Sequence, residues 1–484
     1  MHLDAPGISV TGYTFAGSPG IVLGRNAHIA WGITNVGADV QDLYLLEETE
    51  GGYLVNGVRE AYSFRTEIIP VRDDQNITLT VALTEYGPVI SDLVGISQPV
   101  ALRWVSLDFE DRTLEGFLAV NFASNWKEFR QAVSLMLAPS SNFVYADVEG
   151  NIGYQMMGVV PVRHRNHSGL FPVSSNAFMD WIGTVPFEDN PYELNPPANF
   201  IVSANNRVPP DNYPYMLTED SEWEVPLRAE RIQQLISELS SNRSLTLHDM
   251  MNIQMDQVSL LGKYFSDVLN LLVLEDSEDT EWKARLLQWS GLTQGPEAAV
   301  FELWYRRLCS LVSMETHSRW WQKNAAIYLP QTLLNDTDEA CIRVGGCMNF
   351  ASHALHQAIK DWKAVGSSKW EELHSVKMVH NVFGETVLRC LFQRSCGVGG
   401  DDFTINVGDY NFNNFAMEEG PSMRHIVDLS NIKRALGILP MGQSENPFSG
   451  HYDDLLSFWR DGTYLYLISE DYPISTSLVL KAKK

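Results

Sequence analysis

At 484 residues, with 45% hydrophobic and 11% aromatic content, the chain has enough apolar material for a substantial core. Sixty acidic against 35 basic residues leave a formal charge of −25, which argues against nucleic acid as a partner and disfavours an anionic membrane surface. No uninterrupted run of 18 apolar residues is present, so no membrane span is expected, and an export signal would have to lie upstream of Met1-His2-Leu3-Asp4.

The first half reads mainly as strands. Residues 52–58 (GYLVNGV), 76–85 (NITLTVALTE) and 100–105 (VALRWV) are β-rich or alternating and are bounded by Gly, Asp and Asn. Residues 125–137 carry a helical period, and 143–157 read as a hairpin turning at Glu149-Gly150-Asn151. The middle is helical. Ile232, Leu235, Ile236 and Leu239 make one apolar stripe over 228–239. Thr246 and Asp249 have capping-box spacing and open a helix expected to run through MMNIQMDQVSLLGKYFSDVLNLLVL. Further helices are expected over 281–289 and 298–312, and short strands and loops return beyond about residue 400. Nothing resembling a linker or repeat divides the chain. The order strand, helix, strand predicts one α+β unit over 1–484.

Five cysteines leave two readings open. Cys341 and Cys347, and Cys390 and Cys396, could each close a small loop, or all five, with Cys309, could be buried thiols. Neither spacing is a zinc signature. On residue chemistry alone, Ala204-Asn205-Asn206-Arg207 before Pro209-Pro210 is a turn, and the aspartates of GADVQDLY (37–44) are no more than turn carboxylates.

Order and spacing change that reading. GSPGIVLGRNAHIAWGITNVGADVQDLY (17–44), TEYGPVI (84–90), FVYADVEGNIGY (143–154), IVSANNRVPPDNYPY (201–215), LRAERI (227–232), MMNIQMDQ (250–257), GPSMRHIVDL (420–429) and LPMGQSENPFSGHYDDLLSFW (439–459) follow one another along the chain. Together they resemble the β subunit of the penicillin acylase (penicillin amidase) family of N-terminal-nucleophile hydrolases. The resemblance implies an αββα sandwich, two stacked antiparallel sheets between helical layers, with a helical middle segment. It implies hydrolysis of a linear N-acyl amide by the hydroxyl of a serine that is itself a chain N-terminus.

The same resemblance assigns roles. Asn205 would supply a side-chain N–H to the oxyanion, and the main-chain N–H of Asn35, after Trp31-Gly32-Ile33-Thr34, would supply a second. Arg228 would stand near the nucleophile, while Arg231 reads as an exposed helix arginine. Leu23 and Ile33 would line the acyl pocket. Asp39, the Gln41 carbonyl and Asp42 would hold a structural calcium, completed by the acidic run Glu219-Asp220 and by an upstream subunit. No organic cofactor is implied. Met1 aligns downstream of the family's serine, so the nucleophile and an α subunit from the same precursor are expected outside this sequence, in a periplasmic or extracellular protein. Ser18 is a poor substitute because Pro19 follows it within a structural motif. The alternative expectation is a non-catalytic binding protein that kept the pocket and lost the nucleophile.

Overall fold

The computed structural model describes residues 1–108, 110–217, 223–312, 319–335, 339–366 and 369–467. Contacts cluster into two compact units, Met1–Trp223 and Glu224–Lys484.

The first unit is built on a seven-stranded sheet. In spatial order its strands are His2–Ala5, Ile8–Tyr13, Leu23–Arg25, Ile29–Asn35, Ser141–Asp147, Ile152–Met157 and Tyr192–Leu194, every neighbour antiparallel. Alternation along these strands sends Val10, Ile29, Trp31, Phe143 and Tyr145 into one apolar cluster. The helix Trp126–Val133 covers that cluster with Phe129, Ala132 and Val133, and Asn125 caps it by accepting the Glu128 N–H. The expected hairpin is present, with Gly150 at φ 95° in its turn. Residues 52–58 do not form the single strand expected. They fold back as Gly52–Val55 and Val58–Glu60 because Asn56 (φ 48°) and Gly57 (φ 84°) make a two-residue turn between them.

The second unit is dominated by helices. Gly295–Val312 runs through its centre and buries Phe301, Trp304 and Leu308 against Ala351, Leu355 and Ala358 of the helix Cys347–Val365. Small residues on one helix facing large ones on the other bring the two close, and the Trp304 indole donates to the Ala351 carbonyl at 3.0 Å. Helices over Leu227–Ser240 and Ser277–Gln288 fall where the periodicity places them. The long helix after Thr246 does not form. The capping box is present and starts Leu247–Gln254, but the chain leaves the helix at Asp256. Val258 then makes a strand bridge to Leu292, and helix resumes only in the short pieces Leu261–Tyr264 and Ser266–Leu271. Two small sheets follow, Ser375–Met378 with its neighbours and Arg424–Ile426 with its own.

Of the cysteines, Cys341 and Cys347 are bonded, and Cys309, Cys390 and Cys396 are free. Cys396 instead lies in the strand Arg394–Gly397, opposite Val376 in the ladder. No helix among the described residues is long and apolar enough to cross a membrane.

Candidate active site

The end of the strand Ile29–Asn35 is the focus of the first unit. Its register against Ser141–Asp147 pairs Asn35 with Ser141, and the Val36 N–H donates to Ser140 at 3.2 Å. Antiparallel ladders alternate, so Asn35 turns both its N–H and its C=O away from that neighbour. The Asn205 carboxamide sits at the same edge, donating from Nδ2 to the Asn35 carbonyl at 3.0 Å. Asn205 holds a left-handed backbone (φ 62°), which turns its side chain back toward the strand. Asn35 and Asn205 are therefore joined through the Asn35 carbonyl.

A buried polar network behind them was not foreseen from the sequence. Asn142, fully buried, donates from Nδ2 to the Asn35 carbonyl and to the Thr34 hydroxyl, both at 3.1 Å. The Tyr154 hydroxyl donates to Asn142 Oδ1 at 2.5 Å, and burial holds the Tyr154 pKa far above the ordinary phenol value. Thr34 Oγ1 and Ser203 Oγ lie 2.6 Å apart, tying the strand to the segment that carries Asn205. The sequence signal is an asparagine just ahead of the apolar run Phe143-Val144-Tyr145-Ala146, in a strand where asparagine is disfavoured.

Leu23 and Ile33 are both half-buried and pack against the apolar cluster of the sheet.

In the second unit, Arg228 lies in the first turn of Leu227–Ser240. Burial pushes its pKa down while Glu224 and Asp402 hold the charge in place. Arg231 is not an exposed helix arginine. It closes a two-point pair with Asp256 (2.8 and 3.0 Å), and both side chains are 13% exposed.

Asp39, Gln41 and Asp42 do come together, but around a side chain of the protein. Arg163 Nη2 reaches Asp39 Oδ2 at 2.8 Å, the Asp39 carbonyl at 3.2 Å and the Gln41 carbonyl at 3.4 Å. Its Nε donates to Asp42 Oδ2 at 2.8 Å. The Trp181 indole donates to that same oxygen at 2.5 Å. His167 accepts the Gly169 N–H at Nδ1, which leaves its proton on Nε2, 3.6 Å from Asp42 Oδ1. Burial lowers the His167 pKa, against the pull of Asp42. Glu219 and Asp220, expected as further calcium ligands, lie outside the described residues. No group of three or more His, Cys, Asp or Glu side chains able to hold a metal occurs among the described residues.

The sequence model of a family described as penicillin amidase matches residues 1–476. The acyl-homoserine lactone acylase QuiP of Pseudomonas fluorescens is 27% identical over 520 residues, covering 96% of this chain and 62% of the relative. Penicillin acylase 2 proenzyme of a Pseudomonas species is 26% identical over 494 residues, covering 95% and 61%. Penicillin G acylase of Escherichia coli is 35% identical over 217 residues, 44% of this chain and 25% of its own. The chain thus spans about three fifths of the curated relatives that match it along its whole length. Among solved structures, thermostable penicillin G acylase from Alcaligenes faecalis superposes with a TM-score of 0.73 at 21% identity, covering 100% of this chain and 94% of the other. That likeness fixes the fold as the α+β N-terminal-nucleophile hydrolase type.

Proposed function

This chain belongs to the penicillin amidase family, and from that premise we propose that it forms the carbonyl-polarising part of an N-acyl amide hydrolase. The observation that carries the proposal is the edge of the strand at Asn35. The Asn205 and Asn142 carboxamides both donate to the Asn35 carbonyl there, which supports reading the Asn35 N–H and the Asn205 side chain as parts of one site. Donors held in place before reaction stabilise an oxyanion without paying to reorganise.

In the reaction read here, a serine hydroxyl attacks the amide carbonyl and its proton passes to the serine's own α-amino group. The C=O π pair moves onto oxygen, and Asn205 Nδ2–H and the Asn35 N–H receive it. Collapse re-forms the carbonyl and breaks the C–N bond, with the relayed proton leaving on the amine. Water then attacks the acyl-serine, the serine regains its proton, and the carboxylic acid departs. The serine is assigned to no residue of this chain. It belongs to the remainder of the whole protein, together with an α subunit from the same precursor. In this reading the family resemblance gives Arg228 the role of disfavouring protonation of the serine's α-amino group. Leu23 and Ile33 make an apolar wall for the acyl group. Export to the periplasm or beyond fits the Cys341–Cys347 bond. The substrate is a linear N-acyl amide, and acylated β-lactams and N-acyl-homoserine lactones are the classes that the relatives' names put forward.

The deciding experiment expresses the complete gene and follows primary amine release from phenylacetyl, medium-chain acyl and long-chain acyl amides. Release from at least one class, abolished by blocking an N-terminal serine, supports the proposal. A folded protein with an intact chain and no hydrolysis of any class would leave the pocket-bearing binding protein as the better reading.

A further inference from the structure

The residues that the resemblance assigns to calcium do not fit a calcium ion in this fold, and we propose that the Arg163 guanidinium takes the ion's place as a cation built into the chain. Arg163 ends the short strand Pro161–Arg163, directly across the ladder from Trp181. Both side chains therefore point to one side, and both deliver an N–H to Asp42 Oδ2. That oxygen already accepts from two donors, while Asp42 Oδ1 is buried without a hydrogen-bond partner and faces His167 Nε2 at 3.6 Å. Nη2 meets three more oxygens, Asp39 Oδ2 and the carbonyls of Asp39 and Gln41, at 2.8 to 3.4 Å. These are N–H···O distances, and calcium would draw oxygens in to about 2.3–2.6 Å.

Burial and charge agree with the geometry. The Arg163 and Asp42 side chains are 2% and 1% exposed, so neither could be left without a counter-charge. A second guanidinium stands close by: Arg103 is opposite Asp42 in the ladder, and its charge lies 4.3 Å from the centre of the Trp181 ring. Two arginines thus stand at Asp42 before any ion arrives, with Asp180 acting on His167 as a third carboxylate beside Asp39 and Asp42. The following loop is shaped around the pair. A Cβ at Gly169 would fall 2.3 Å from Asp39 Oδ2 and 3.2 Å from the Arg163 guanidinium, so the backbone can pass only as glycine.

The test uses the protein made from its complete gene and needs no activity. Metal analysis after gel filtration, and melting curves in EGTA and in millimolar calcium chloride, are the first readouts. The expected result is no stoichiometric calcium and superimposable curves. One calcium per chain surviving gel filtration, with a saturable rise in Tm, would overturn the proposal outright. Arg163→Ala is the second readout. Its Tm should fall by roughly 5 °C or more, with part of the loss restored by methylguanidinium. An Arg163→Ala protein that melts with the parent overturns the proposal. If that variant does not accumulate, Arg163→Lys takes its place: a single-point ammonium cannot span Asp39 and Asp42, and the same fall in Tm is expected.

Discussion

At the scale of single residues, the site rests on atoms whose roles can be separated by choosing the substitution. Asn205 has a left-handed backbone, so Asn205→Ala would add strain to the loss of the donor. Asn205→Gly keeps the backbone and deletes only the carboxamide. It should lower kcat about 100- to 1,000-fold with little change in Tm, the magnitude of one lost oxyanion donor. A kcat within a factor of a few of the parent would remove Asn205 from the mechanism. Asn142 is a positioning residue, because it reaches the reaction only through the Asn35 carbonyl and Thr34. Asn142→Leu strands the Tyr154 hydroxyl and costs about 1–3 kcal/mol of stability. If it also sets the Asn35 edge, kcat falls while KM holds. A drop in Tm with kcat unchanged would assign it to stability alone. None of this is visible in a local pattern. Asn35, Asn142 and Asn205 are far apart in the chain, and only the family resemblance singled out the first and the last.

Among the elements, those fixed by local chemistry were legible and those fixed by tertiary pairing were not. Thr246 illustrates the first kind. Its hydroxyl and the Asp249 carboxylate satisfy each other's backbone N–H groups, and Arg243 adds a pair to Asp249. Thr246→Ala should therefore cost about 1 kcal/mol in urea unfolding at neutral pH, whereas a variant as stable as the parent would make the box dispensable. The segment after Gln254 illustrates the second kind. Its apolar period persists through Leu272, yet the ladder partner of Val258 is Leu292 and the partner of Asp256 is Arg231. Neither partner can be inferred from the segment itself. Asn56-Gly57 was legible in principle, since Asn-Gly between β-rich residues is a hairpin signal. The β-rich composition of 52–58 favours one strand, and the Asn56-Gly57 turn overrides it. The Arg163 site lay beyond sequence reasoning for a plainer reason: 121 residues separate the guanidinium from Asp42.

For the whole molecule, two buried groups of the second unit make opposing contributions to the acid response, beside Glu302, whose carboxyl burial and Asp401 also push up. Burial pushes His374 down to about 4, while its ring N–H is held by the Val398 carbonyl. The unfolded chain takes up that proton near pH 6.5 and the folded one does not, so stability is lost as pH falls from 6.5 toward 4. Asp401 is pushed up to about 6 by burial. Here the folded chain holds the proton through a window where the unfolded chain has released it, so stability is lost as pH rises from 4 toward 6. The two slopes cancel in part. His374→Gln should make Tm rise on acidification across this window relative to the parent, and Asp401→Asn should make it fall more steeply. Parallel profiles for all three proteins would show that neither group titrates as placed. A net charge of −25 tilts all three curves alike and leaves these differences intact.

A cation supplied by residue 163 obeys different rules of supply from one taken up from solution. It is present at one copy per chain the moment translation passes it, it has no dissociation constant, and dilution cannot remove it. The Asp39–Asp42 turn can therefore close during folding itself, with no wait for an ion and no dependence on the ion content of the compartment. Chelating buffers, phosphate-rich media and citrate should then be harmless to this part of the fold.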